Sequence, residues 1–159
     1  MRVQDTLCVR GEEALVRLGA GDEIIQAAEK DMGLCFPEGL KMVWRLSNGL
    51  ELPGGWRLFP VFDPKEPQKT CNHVGYENTK GRWPYMDESL LSIAADDSGN
   101  QLVLKRDGTV CLDTIFHWNH ETNRIRKWGK GFDYLLAKAQ GRVTKIEKQI
   151  VKSLGKRRS

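Results

Sequence analysis

Between Leu90 and Trp128, short apolar runs alternate with clusters of turn-forming residues. Leu90 to Ala95 reads as a strand, and Asp96-Asp97-Ser98-Gly99-Asn100 is a dense turn cluster. Gln101 to Lys105 reads as a second strand, Arg106-Asp107-Gly108 as a tight turn suited to positive φ, and Thr109 to Asp113 as a third strand. Ile115 to Trp118 and Arg124 to Trp128 complete the series. Connections this short join antiparallel neighbours, because a parallel pair needs a crossover of a dozen or more residues. The spacing therefore predicts a meander of hairpins and excludes a βαβ dinucleotide fold.

Helices flank this region. From Leu34 to Gly49, Pro37 suits the first turn of a helix, where its missing N–H would have no partner. Leu40, Val43, Trp44 and Leu46 follow at helical spacing, and Asn48-Gly49 is a stop signal. Burying about 150–250 Å² of indole at about 25 cal/mol/Å² is worth roughly 4–6 kcal/mol, an upper bound because the unfolded chain already hides some of that surface. Upstream, Asp22 is a candidate N-cap for a helix to about Asp31, with Ile25, Ala28 and Met32 on its inner face, Glu29 and Lys30 outside, and Gly33 at its end. Glu12 to Leu18 reads as a further short helix. Downstream, Phe132, Leu135, Leu136 and Ala139 give a last helix that Gly141 is expected to end. Trp56 to Phe59 reads as a strand that Pro60 and Pro64 bound or restrict to an edge. The expectation is an α+β fold: an antiparallel meandering sheet of about five to six strands with helices packed against it.

The chain of 159 residues is 40% hydrophobic and 29% charged, the composition of one globular domain. No apolar run approaches the ~20 residues that span a bilayer. Met1 to Glu13 has no apolar leader core, so a cytoplasmic protein is expected. Residues 142–159 carry seven Lys/Arg against Glu147, a charge of +6, which leaves −2 of the chain's +4 for residues 1–141. The sequence thus divides into a domain, 1–141, and a basic tail, 142–159. Val143, Ile146, Ile150 and Leu154 lie near one helical face of that tail. Such a helix suits phosphates, an anionic surface or an acidic partner, or docks on the body with solvated lysines.

Catalytic chemistry finds little purchase. His117 and His120 are three apart in a strand, where they point to opposite faces. Cys71-Asn72-His73 could be a thiolate–imidazole nucleophile, yet it lacks an evident oxyanion device, and an ordinary loop thiol is the plainer reading. Asp96, Asp97 and Asp113 could serve acid–base work; the first two more simply bond their own turn. The four cysteines, at 8, 35, 71 and 111, form no C-x-x-C pair and read as reduced packing residues. No nucleotide-cradling glycine motif is present. Neither a metal nor a cofactor is expected, nor a catalytic residue. Residues 63–88 have little periodicity, which implies a hidden short helix or a working surface. Within them Trp83-Pro84-Tyr85-Met86 is either a loop anchor or an exposed patch.

Four blocks of residues resemble the SMI1/KNR4 (SUKH) family, in the family's order. They are the helix ending Leu46-Ser47-Asn48-Gly49, Ile93-Ala94-Ala95-Asp96-Asp97-Ser98-Gly99-Asn100 before an apolar strand, His120-Glu121 after a later strand, and Phe132-Asp133-Tyr134-Leu135-Leu136 opening the last helix. Gly131 stands where that family has Ser or Thr, and the 63–88 insertion and the basic extension are departures. The resemblance implies a non-catalytic protein-binding scaffold, typically a bacterial immunity protein that occludes a cognate toxin, often a nuclease. Asp96, Asp97 and Glu121 are then candidates for steering a basic cleft, with Trp83, Tyr85 and Trp118 as aromatic anchors. The alternative is a nucleic-acid-binding or regulatory protein working through the tail.

Overall fold

The computed structural model describes residues 19–158, so the helix expected at Glu12 to Leu18 and Cys8 lie outside the described residues. Its elements are α1 (Asp22–Met32), α2 (Glu38–Leu46), β1 (Arg57–Leu58), α3 (Val74–Glu77), β2 (Leu90–Ala95), β3 (Gln101–Asp107), β4 (Val110–Cys111), β5 (Phe116–Trp118), β6 (Ile125–Lys127) and α4 (Phe132–Arg158). The sheet has six strands in the order β1-β2-β3-β5-β6, all antiparallel, with β4 folded back on β3. This is the α+β meander expected from the turn clusters. β1 is an edge strand, as its flanking prolines require.

The two faces of the sheet carry two cores of unequal size. Leu91, Ile93, Leu102 and Leu104 face the helices and join Ile25, Leu40, Val43, Trp44, Leu135 and Ala139 in the main core. Leu90, Val103 and Trp118 point the other way and are covered by Met86, with Trp83 and Phe116 packed alongside. The alternation along β3 assigns each residue to its face. A bulge between Ser92 and Ala94 adjusts the register of β2 against β3.

Trp44 has no exposed surface. Its indole N–H donates to the Phe59 carbonyl at 2.9 Å, and the Phe36 ring meets it edge-on at 4.8 Å. Beside it, the Asn48 side chain accepts from the Val61 N–H at 2.8 Å and donates to the Val61 carbonyl at 3.0 Å. Asn48 therefore does more than help stop α2: it holds the strand-exit segment against the helix end. α2 itself closes one residue earlier than its Asn-Gly signal, at Ser47, which is extended (φ −150°). Pro37 precedes the first helical residue rather than occupying it, and Gly21, not Asp22, caps α1. Asp22 is instead a first-turn acid.

Two expectations are corrected. Glu29 is not a solvated residue, because its carboxylate accepts from the Phe36 N–H at 2.8 Å and pairs with Lys41 at 3.2 Å. Gly141 does not end α4, which runs unbroken to Arg158. A glycine costs a helix only about 1 kcal/mol, too little to stop one in the absence of other breaking signals. α4 lies parallel to α2: Phe132 packs at Gly39, and the Arg142 guanidinium donates to the Ser47 hydroxyl at 2.5 Å. A Cβ at residue 39 would lie 2.8 Å from the Phe132 Cβ, so this approach requires glycine.

Replacing Trp44 by Ala is expected to cost about 3–5 kcal/mol. Trp44→Phe keeps much of the volume but strips the Phe59 carbonyl of its donor, at about 1–3 kcal/mol. Urea denaturation with an unchanged m-value measures both. A Phe variant as stable as the parent would show that the hydrogen bond contributes nothing.

Candidate functional site

The registers Ala95↔Gln101, Gln101↔Trp118 and Trp118↔Ile125 place the β2–β3 turn and the β5–β6 turn at the same end of the sheet. The 83–86 loop closes on that end. Five of the six residues singled out in the sequence present their side chains around it, and the sixth lies beneath.

Asp96 is consumed by its turn. One carboxylate oxygen accepts from the Ser98 N–H at 3.0 Å, the Ser98 hydroxyl at 2.9 Å and the Asn100 N–H at 2.9 Å. The turn reading of this residue therefore holds, and its charge is partly spent on local donors. Asp97 is free to face solvent, with its side chain 79% exposed and 3.5 Å from Arg57. Glu121 is equally exposed, at 78%, and its carboxylate lies 3.9 Å from the His120 ring.

The aromatic residues form one cluster. Trp83 packs against Trp118 at 6.0 Å, Tyr85 at 5.8 Å and His120 at 5.4 Å. Tyr85 is 47% exposed and donates its hydroxyl hydrogen to the His120 carbonyl. Trp118 has no exposed surface, so it cannot touch a partner and instead supports Trp83 and Tyr85 from below. A strand residue opposite Gln101 must point into the smaller core, and that placement decides its burial. In the Trp83–Met86 segment Met86 is a buried anchor, as the first reading has it, and Tyr85 is exposed.

Asparagines set the geometry of this end. The Asn100 side-chain oxygen accepts from the His120 N–H at 3.2 Å and lies 2.9 Å from the ring Nδ1. An amide oxygen can only accept, so this contact calls for the imidazole proton on Nδ1. Asn119 accepts from the Glu121 and Thr122 N–H groups at 2.9 and 3.1 Å. Asn123, with φ 57°, accepts from the Trp118 indole at 2.7 Å. Gly99, with φ 97°, lies so close that a Cβ there would meet His120 and Trp83 at 3.3 Å. These bracing residues were not singled out in the sequence as site residues; the available signal was only that Asn and Gly are frequent in the two turns.

The other candidate chemistry is dispersed. The His73 ring accepts from the Tyr76 N–H at 3.2 Å as the cap of α3, so it is engaged in structure. His117 packs on Trp56, and burial followed by the nearby Arg126 holds its pKa below the usual histidine value. Cys111 is buried and its thiol is pushed up to about 11, whereas Cys35 and Cys71 are exposed. The latter two are therefore not packing residues. Among the described residues no group of three or more His, Cys, Asp or Glu could hold a metal ion, and no helix is long and apolar enough to cross a membrane.

The sequence pattern of the SMI1/KNR4 family (SUKH-1) matches residues 19–138, which include the helical layer, the whole sheet and the first turns of α4. The chain belongs to the SMI1/KNR4 (SUKH-1) family. Among curated proteins and solved structures, none matches it. The SUKH-1 match ends inside α4, before the basic half of that helix.

Asn123→Ala should orphan a buried indole N–H and place a Cβ-bearing residue without a local side-chain bond at φ 57°. The expected cost is about 1–3 kcal/mol, with Trp118 fluorescence changing in the folded state. An Asn123→Ala protein with parental stability and spectrum would show that the β5–β6 turn does not depend on this bond.

Proposed function

We propose that this SUKH-1 chain is a non-catalytic protein-binding module, an immunity protein that neutralises a cognate toxin by covering its working surface. Family membership carries the reading. The braced end of the sheet supports it, since three separate segments there are locked by side-chain bonds and so lose little freedom on binding. Asp97 and Glu121 supply exposed negative charge, Asp96 shapes the turn that carries Asp97, and Trp83 and Tyr85 supply aromatic contact with Trp118 beneath them. A basic nuclease cleft is the partner chemistry that such a surface attracts. Arg57 borders Asp97, so specificity would come from the pattern of charge rather than its sum.

Co-expression with toxins encoded beside the gene tests this directly. The parent should rescue growth and bind the toxin. Asp97→Lys with Glu121→Lys should slow association and weaken binding about tenfold or more, about 1.4 kcal/mol, and Tyr85→Ala should speed dissociation. Failure of every neighbouring toxin to bind or be neutralised would remove the immunity role. Parental affinity in both variants would move the interface elsewhere.

The second reading, a nucleic-acid or regulatory role for the tail, is favoured by the continuity of α4. Arg142 is tied to Ser47 at the end of α2, and beyond it Val151 and Leu154 are 69% and 48% exposed. If all seven tail cations met phosphates, log Kd against log salt would have a slope of magnitude about 6. Changing Lys145, Lys148 and Lys152 to Gln should then reduce it by about 3. No measurable DNA or RNA binding at low salt, or an unchanged slope, would rule the tail out as a nucleic-acid contact.

A further inference from the structure

At the opposite end of the β2–β3 ladder from the braced turns, α1 and α3 wall a half-open cleft of about 870 Å³. That size lies within the roughly 300–1,000 Å³ of small-ligand sites. Ile24, Ala28 and Met32 of α1, with Leu91 of β2, give it an apolar side. Aromatic rings line it as well: Phe62 lies tilted against His73 at 5.1 Å, and His73 meets Tyr76 edge-on at 6.3 Å. Phe62 and Tyr76 are 41% and 42% exposed, an unusual outlay of aromatic surface beside a cavity.

Cations line the same space. The Arg82 guanidinium is half-buried and fixed by backbone oxygens: it donates to the Leu90 carbonyl at 2.9 Å, the Met86 carbonyl at 3.4 Å and the Asp87 carbonyl, and to the Asn78 side chain at 3.4 Å. All four acceptors are neutral, and the opposing charges of Glu88 and Asp87 act on it only through space. Arg106 is also half-buried, and among the described residues its guanidinium makes no hydrogen bond or ion pair. Lys80 stands at the edge. Asp31 and Glu88 are the carboxylates lining the cleft, and among the described residues neither forms an ion pair with these cations. Burial holds the Arg82 pKa down, and the charge of Arg106 acts in the same direction against Glu88 and Asp87. Two guanidinium charges in a partly dehydrated cleft are compensated best by an anion that enters it.

We infer that this cleft binds a small molecule with a flat apolar body and a carboxylate or phosphate group, the body lying between α1 and the Phe62–His73–Tyr76 wall and the anion meeting Arg106 beside Arg82. The site is separate from the partner surface proposed above and does not depend on it. Because Arg82 is occupied by the loop it holds together, Arg106 is the residue that discriminates ligand binding from structure.

The test uses the full chain, with 1-naphthyl phosphate and 2-naphthoate as probes, inorganic phosphate and neutral 2-naphthol as controls, and calorimetry with thermal melts as readouts. At least one aromatic anion should bind and raise Tm, with each control at least tenfold weaker, and Arg106→Met should weaken that binding tenfold or more. No binding of either aromatic anion up to about 10 mM, parental affinity in Arg106→Met, or equal binding of 2-naphthol overturns the inference. Should Arg106→Met fail to fold, amide chemical shifts of the unaltered chain decide. Probe-induced changes at 24–32 and 73–80 support the site, and changes confined to 96–100 and 119–124 overturn it.

Discussion

A buried hydrogen bond from the Trp44 indole to the Phe59 carbonyl ties the helical layer to the chain leaving β1. Trp44 belongs to a short helix, and Phe59 follows an edge strand of two residues. Neither element could hold its place alone: an isolated helix of nine residues is marginal in water, and so is a two-residue strand. Burying the indole removes apolar surface from water, while its N–H satisfies a carbonyl that β1 leaves free as the chain turns away. Apolar burial and polar satisfaction are thus met by the same side chain. Gly39 lets α4 close on the other side of α2, and the core is complete without an unsatisfied buried side-chain polar atom among the described residues.

Asparagine repeats this strategy at four places where the chain leaves regular structure. Asn48 grips both backbone groups of Val61, Asn78 grips both those of Ser92, and Asn100 and Asn123 secure His120 and Trp118. A primary amide offers donors and an acceptor on one flat group, so it can substitute for a missing strand neighbour. Such bonds, with those of Thr70 and Arg82, hold a segment as long as 59–89 that has only one short helix. Its buried backbone groups find partners at side chains where the sheet ladder does not reach.

The architecture was legible because its signals are local. Turn clusters at 96–100 and Gly108, and periodicity at 34–46 and 132–139, are patterns of neighbouring residues, and they placed the meander, α2 and the start of α4. What stayed hidden depends on distance. Nothing within α1 says that Glu29 will cap the Phe36 N–H, and nothing near Gly141 says that α4 will continue. Trp118 was readable as an aromatic at the end of a strand, but its burial follows from opposing Gln101 and lying under Met86 and Trp83. The cleft beside α3 was invisible for the same reason. Ile24, Phe62, Arg82 and Arg106 come from four separated segments, and the 63–88 stretch has no period to announce a face.

The braced end of the sheet shows why acidity alone was an insufficient guide to a partner surface. Three acids look equivalent in the sequence. In the fold, Asp96 is spent on three turn donors, Asp97 lies beside Arg57, and Glu121 stands next to a histidine whose other nitrogen is held by Asn100. Coulomb energies between solvated charges a few ångströms apart are about 1 kcal/mol in water, so no single acid here dominates the field. What the fold adds is position: the turns that carry these charges, and the rings beside them, are braced relative to one another. Under the proposed binding role, a surface so arranged would gain selectivity from geometry, because a partner with the right total charge in the wrong pattern would meet Arg57 instead of Asp97.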